Sequence, residues 1–229
     1  MREGVELKME ANMTQPSKRL RNMDYAYGPV KELRHVALVR DVQTTLNRWR
    51  HSATFRKSKS IHVMGLLIGD LAMSFYAKPR YTDRVEVLYP EPSSIPGGVV
   101  GFTRHHKGVL QDDASEIEVW TLTPDALHIP EAIAQRIFHS AYDVRDGLMV
   151  ASLEGMIVLK LYASDNRRFQ YQALGDIGSM LENNPQITAA SFDGWSLSEF
   201  HLDKLKDSIR RAGHLDQTTL TKSIGLPSS

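Results

Sequence analysis

Leu66-Leu-Ile-Gly-Asp-Leu-Ala-Met-Ser-Phe-Tyr-Ala-Lys-Pro-Arg-Tyr-Thr-Asp-Arg-Val-Glu-Val-Leu88 is the stretch that decides the fold. Its first residues close an apolar run that begins at Ile61 and ends at Gly69-Asp70, the pattern of a buried strand followed by a turn. Leu71–Tyr76 predicts a short helix, stopped before Pro79 because a residue ahead of proline is driven out of the helical region. Val85–Tyr89 predicts the next strand. On it Arg84 and Glu86 point the same way, and Asp83 points to the opposite face.

Upstream, Leu33, Val36, Val39, Val42 and Leu46 recur at helical spacing and predict a helix from Val30 to Arg50. It runs into a basic cluster of Arg48, Arg50, Arg56, Lys57 and Lys59. Residues 1–30 show no apolar period and read as a flexible arm. Downstream, the proline- and glycine-rich Pro90–Gly98 is a loop, and Val99–Thr103 a strand. Glu116–Leu122 alternates, with Ile117, Val119 and Thr121 on one face and Glu116, Glu118 and Trp120 on the other. The second half reads as mostly helical. Pro130–Tyr142 forms a helix, Leu148–Ala151 a short strand, and Ser152 caps a helix over Leu153–Ala163. Leu174, Ile177 and Leu181 mark another helical face. Ser196-Leu-Ser-Glu199 is a capping box opening a last helix, with a frayed tail from Gly213. The expected organisation is the arm 1–30, an α/β core over 31–125, and a mostly helical part over 126–229 packed on it.

With 229 residues, 41% hydrophobic and 24% charged, the chain can bury one substantial core. It contains no cysteine, which excludes disulfides, cysteine-ligated metals and cysteine nucleophiles. No apolar run approaches the roughly 18 residues of a membrane span, and the first residues lack an apolar leader core, so a cytoplasmic protein without a membrane partner is expected. The net charge of +1 hides an asymmetry: residues 1–60 carry 13 Lys/Arg and 6 Asp/Glu, residues 61–229 carry 15 and 21. A basic first quarter can attract nucleic acid or an acidic partner.

Two carboxylates on neighbouring strands, Glu86 and Glu118, beside a glycine turn that opens a helix, suit a site for phosphate and a divalent ion. In order and spacing, the stretch above resembles the entry motif of the nucleotidyltransferase fold, most closely its AbiEii-type branch, which includes toxins of bacterial abortive-infection systems. Gly69-Asp70 stands at the family's Gly-Gly position, Arg80 and Thr82 at its Arg and Thr. Gly147–Ala163, then Arg167 and Asp176-Ile177, resembles the family's C-terminal helical motif. The likeness runs from about Leu33 to Leu181. It implies a small mixed sheet of nucleotidyltransferase type, flanking helices and a C-terminal helical part. It also implies transfer of a nucleotidyl group from a nucleoside triphosphate to RNA or another acceptor.

By that resemblance Glu86 and Glu118 are the catalytic acids and the ligands of a weak Mg2+ site. Gly69, Asp70, Arg80, Thr82, Arg84, Lys160, Arg167 and Asp176 would line the nucleotide. RNA or tRNA, or a protein encoded nearby as in a toxin–antitoxin or phage-defence pair, would be the partner. The chain departs from the family at chemical positions: Arg84 stands where the first acid is expected, Asp70 where the second glycine is, and Gln172-Ala173 where Lys-Asp is. The alternative is therefore a catalytically inactive binding module on the same fold. Lys160 shares an apolar face with Leu153, Met156, Ile157 and Leu161, so it should meet an acid such as Asp176 or Glu86, or a phosphate. Arg84 should pair with Glu86 or Glu118. His105-His106 with Asp112-Asp113 matches no defined metal spacing.

Overall fold

A computed structural model describes residues 44–49, 65–77, 82, 84–145 and 148–223. The expected arm, most of the expected Val30–Arg50 helix, and Arg50, Arg56, Lys57, Lys59, Arg80 and Asp83 lie outside the described residues. Seven strands form one mixed sheet: β1 (Leu66–Ile68), β2 (Arg84–Leu88), β3 (Phe102–His106), β4 (Val109–Asp112), β5 (Glu118–Leu122), β6 (Tyr142–Arg145) and β7 (Leu148–Val150). Their spatial order is β3-β4-β5-β2-β1-β7-β6. β2 runs antiparallel to β1 and parallel to β5, and β7 runs parallel to β1. β1 lies inside the sheet with Leu66, Leu67 and Ile68 all buried, as a short, wholly apolar strand must be. β2 and β5 alternate instead. Val85, Val87, Val119 and Thr121 are buried, whereas Arg84, Glu86, Glu118 and Trp120 are half-exposed on the other face.

Residues 44–49 are helical (α1) and are followed by α2 (Gly69–Met73), α3 (Glu131–His139), α4 (Leu153–Ala163), α5 (Gln170–Glu182) and α6 (Glu199–Ser223). α4 is apolar all round, and Leu153, Met156, Ile157, Val158, Leu159 and Leu161 are buried. It packs against α2, α5 and α6, the arrangement that a helix with no polar face requires. Ser152 caps it, accepting the Gly155 N–H at 3.0 Å.

Several boundaries differ from the sequence reading. The strand expected at Val99–Thr103 lies at Phe102–His106, because Gly101 turns the chain at φ +80. It pairs with an unexpected strand, β4, across the left-handed Gly108. β6 takes residues expected to end a helix, so β6 and β7, both beyond residue 125, complete the same sheet as β1–β5. Glu116 is not on the face of Glu118. It sits at φ +61 in the turn before β5, its N–H bonded to the Asp112 carbonyl at 2.8 Å. The last helix starts at Glu199 rather than after Ser196, whose φ of +52 keeps it in a turn. The backbone expected to fray from Gly213 continues as helix to Ser223.

α1 is fixed to the sheet by one buried carboxylate. Asp112 is 1% exposed. Its Oδ2 accepts from Thr45 Oγ1 at 2.6 Å, Arg48 Nε at 2.9 Å and Ser115 Oγ at 3.0 Å, and its Oδ1 accepts the Ala114 N–H at 3.1 Å. One turn on, Trp49 meets Phe102 edge-on at 5.2 Å. Burial pushes the Asp112 carboxyl up, but these donors together hold it below its ordinary value of 3.8. Arg48, counted in the basic cluster, is thus committed to Asp112.

Asp112→Asn keeps the shape and loses the charge-assisted bonds, so it should destabilise the fold by about 2–3 kcal/mol at neutral pH. A depressed folded pKa gives stability that is complete above the unfolded value and is lost as pH falls through the folded one. The gap between wild type and Asp112→Asn in urea unfolding should therefore hold steady down to pH 3.8 and shrink below it.

Candidate functional site

Gly69 ends β1 and opens α2 with φ +73, a conformation that L side chains rarely adopt. It is also the floor on which Glu86 rests: a Cβ at this position would overlap Glu86 Oε2. The antiparallel register that sets Ile68 opposite Glu86 brings the two together. Gly69 thus serves both the turn and the close approach of a carboxylate.

Around this point the structure gathers three acids and two cations. Arg84 Nε donates to Glu86 Oε1 at 3.0 Å, and its guanidinium lies 4.5 Å from the centre of the Trp120 ring. Lys160 reaches from α4 to Asp70 Oδ1 at 3.2 Å and Asp176 Oδ2 at 2.7 Å. It is 14% exposed and Asp176 5%, so this ion pair is largely removed from water. Glu86, 23% exposed, has its pKa raised above 4.5, chiefly because its carboxyl is desolvated where it lies against Gly69. Arg84 and Lys160 pull it down without cancelling that, and Asp70 pushes it further up.

Glu118 stands beside the cluster, in register with Arg84 across the parallel β2–β5 pair. Its Oε2 accepts the Trp120 indole N–H at 2.7 Å, and His105 Nδ1 lies 3.0 Å from its Oε1. The Trp120 bond is the largest cause of its lowered pKa, with the His105 contact next among those that lower it. Thr82 is buried and spends its hydroxyl on the Arg84 carbonyl at 3.1 Å, fixing the start of β2. Arg167 is exposed in the turn after α4 and forms no hydrogen bond or ion pair with a described residue.

No protein-family model and no curated protein matches the chain. The site is therefore judged on its own donors. Glu86 is held by Arg84, Asp70 and Asp176 by Lys160, and Glu118 by Trp120 and His105. Among the described residues no three His, Asp or Glu side chains form a group that could hold a metal ion. A divalent ion at Glu86 or Glu118 would therefore compete with these internal partners for the carboxylate oxygens.

Two constellations escaped the sequence reading. Trp120 is the contact of both Arg84 and Glu118; the β5 alternation had put it on the right face, and its role needed only the neighbouring strand. Ser198, His201 and Asp165 form a chain of hydrogen bonds with no local sequence order. Ser198 Oγ is 2.8 Å from His201 Nδ1, and His201 Nε2 is 2.9 Å from Asp165 Oδ2. Ser198 Oγ also accepts the His201 N–H, so it is the N-cap of α6, with the imidazole anchoring that cap to the end of α4.

A carboxyl raised by folding binds its proton more tightly in the native chain, so its contribution to stability falls as pH rises from the unfolded value through the native one. Replacing Glu86 by Gln removes this slope. The stability of Glu86→Gln relative to wild type should climb as pH rises above 4.5 and then level off, read by urea unfolding between pH 4 and 8. A flat difference would show that burial does not govern Glu86. Gly69→Ala should destabilise by about 2 kcal/mol or more, from overlap plus a positive φ. Adding Glu86→Ala should recover the part due to overlap.

Proposed function

We propose that the chain is a nucleotidyltransferase-type fold serving as a binding module rather than as a metal-dependent transferase. The reading rests on one observation: Arg84 occupies the position where the resemblance expects the first metal-binding acid, and it is paired with the second, Glu86. A guanidinium there opposes a divalent ion twice over. It engages the carboxylate that would be a ligand, and it repels the dication directly. At about 4 Å and an effective dielectric of about 20, a unit charge facing a dication is opposed by about 8 kcal/mol. Arg84 is 40% exposed, so screening cuts this several-fold. A remaining penalty of about 2 kcal/mol still exceeds a tenfold loss of affinity.

Asp70, at the other altered position, is already neutralised by Lys160. The cluster is held together by its own ion pairs, and its acids are spent on internal partners. A second reading, nucleotidyl transfer to RNA by Glu86 and Glu118, draws on the parallel register that brings Arg84 and Glu86 beside Glu118 and Trp120 on one face. For it to hold, Arg84 must swing away from Glu86.

One experiment separates the two. Wild type, Glu86→Ala and Arg84→Asp are incubated with labelled nucleoside triphosphates and bulk tRNA in Mg2+ or Mn2+, and Mn2+ binding is titrated in parallel. The binding-module reading expects no incorporation by wild type, and Mn2+ affinity at least tenfold higher in Arg84→Asp. Incorporation by wild type that is lost in Glu86→Ala would establish the transferase instead.

A further inference from the structure

Residues 166–172 read Asn-Arg-Arg-Phe-Gln-Tyr-Gln, a segment with no acid and no aliphatic side chain. It forms the turn between α4 and α5 and the first residues of α5. Four large hydrophobic side chains are exposed among the described residues, and three of them are rings at this end of the helical layer: Tyr171 is 89% exposed, Phe200 59% and Phe169 45%. Phe200 belongs to the first turn of α6. Lys204 Nζ lies 4.2 Å from its ring centre and 2.8 Å from Asp165 Oδ1, which ties it to the same turn. The Arg168 guanidinium lies 5.5 Å from the centre of the Phe169 ring.

A Tyr left almost wholly in water contributes nothing to the core. Its place on α5 explains its exposure: the helix buries Ala173, Asp176, Ile177 and Met180, and Tyr171 lies on the opposite side. The electrostatics of the patch are one-sided. Arg167 and Arg168 carry charges that no described acid pairs with, and the acids on either side of the turn are engaged, Asp165 by Lys204 and Asp176 by Lys160; Glu199 and Asp203, exposed beside Phe200 on α6, place the negative charge of this end on the α6 side. The turn is preformed. The Phe169 N–H bonds the Asn166 carbonyl at 2.9 Å, and the Arg168 N–H bonds Asn166 Oδ1 at 3.0 Å.

We infer that the α4–α5 turn, with the start of α6, is a binding surface for single-stranded nucleic acid. Bases would stack on Tyr171, Phe169 and Phe200, and phosphates would meet Arg167 and Arg168. The composition selects this occupant. The patch offers rings, guanidinium planes and amides around two arginines that no described acid pairs with, the groups that hold unpaired bases and a phosphate backbone. Duplex nucleic acid fits less well, because its bases are already stacked and offer no free face to a ring. The surface lies apart from Arg84 and Glu86, and the inference stands or falls independently of that site.

The test uses the full chain and fluorescence anisotropy with a labelled single strand of about a dozen nucleotides and the same sequence as a duplex, with polyglutamate as competitor. Single strand should bind more tightly than duplex. Tyr171→Ala should weaken it at least about fivefold, the lower end of what one stacked base contributes, and Tyr171→Phe should retain it. Arg167→Ala with Arg168→Ala should lower the slope of log affinity against log salt by about 1.4. Unaltered melting temperatures in these exposed variants would confirm that the fold is intact. Unchanged affinity in Tyr171→Ala, preference for duplex, or equally strong displacement by polyglutamate would each overturn the inference, the last by showing a surface for an acidic polypeptide.

Discussion

Lys160 is the fastener on which the helical layer depends. One ammonium group spans Asp70, at the turn that leaves β1, and Asp176, in the middle of the helix after its own. Three segments far apart in sequence meet at a single charge. A cation so far withdrawn from water is tolerated only with its partners in place, since its desolvation must be offset by close, well-oriented acids. The gain is less in net stability than in definition. An apolar helix such as α4 can slide and rotate against other apolar surfaces at small cost, and a lysine that must meet two acids fixes its rotation and depth.

The same arrangement sets the balance of the cluster on the sheet. Asp70 and Glu86 lie close together at Gly69, and Arg84 on Glu86 and Lys160 on Asp70 offset their charges, with Asp176 on the far side of Lys160. Glu86 lies partly desolvated against a glycine with Asp70 nearby, so its proton affinity rises despite the guanidinium on it. Glu118, on the adjacent strand and supplied with an indole N–H, moves the other way. Two carboxyls on neighbouring strands of one sheet face thus have opposite tendencies, decided by what each was given to hydrogen-bond.

Much of this was legible in the chain. Several strands and helices follow from the periodicities, whereas the mixed sheet that joins them was only what the resemblance implied. The Ser152 cap follows from a hydroxyl ahead of an apolar run, and a lysine on a buried face called for a partner among Asp176, Glu86 or a phosphate, of which the structure shows Asp176, with Asp70 added. The β3–β4 hairpin was hidden because its strand Phe102–His106 buries only Phe102 and shows no alternation. Tyr142–Arg145 was hidden for a similar reason, since the helical pattern before it runs on without a proline or glycine stop. The Asp112 clasp could not be read at all. Thr45 and Arg48 lie more than sixty residues before Asp112, and nothing local distinguishes a carboxylate that will be buried from one that stays in water.

β3 is the outermost strand on its side of the sheet, with Thr103, Arg104, His105 and His106 exposed and its register shifted between Arg104 and His106. An outer strand offers a row of unpaired N–H and C=O groups to any extended chain that meets it. The shifted register breaks the even spacing of that row, and the exposed Arg104, His105 and His106 surround it with solvated polar groups. An incoming strand, including the same strand of another molecule, would have to match an irregular ladder and bring its own charge into contact with like charge. The register shift between Arg104 and His106 is thus a feature that disfavours pairing of this edge with a further strand.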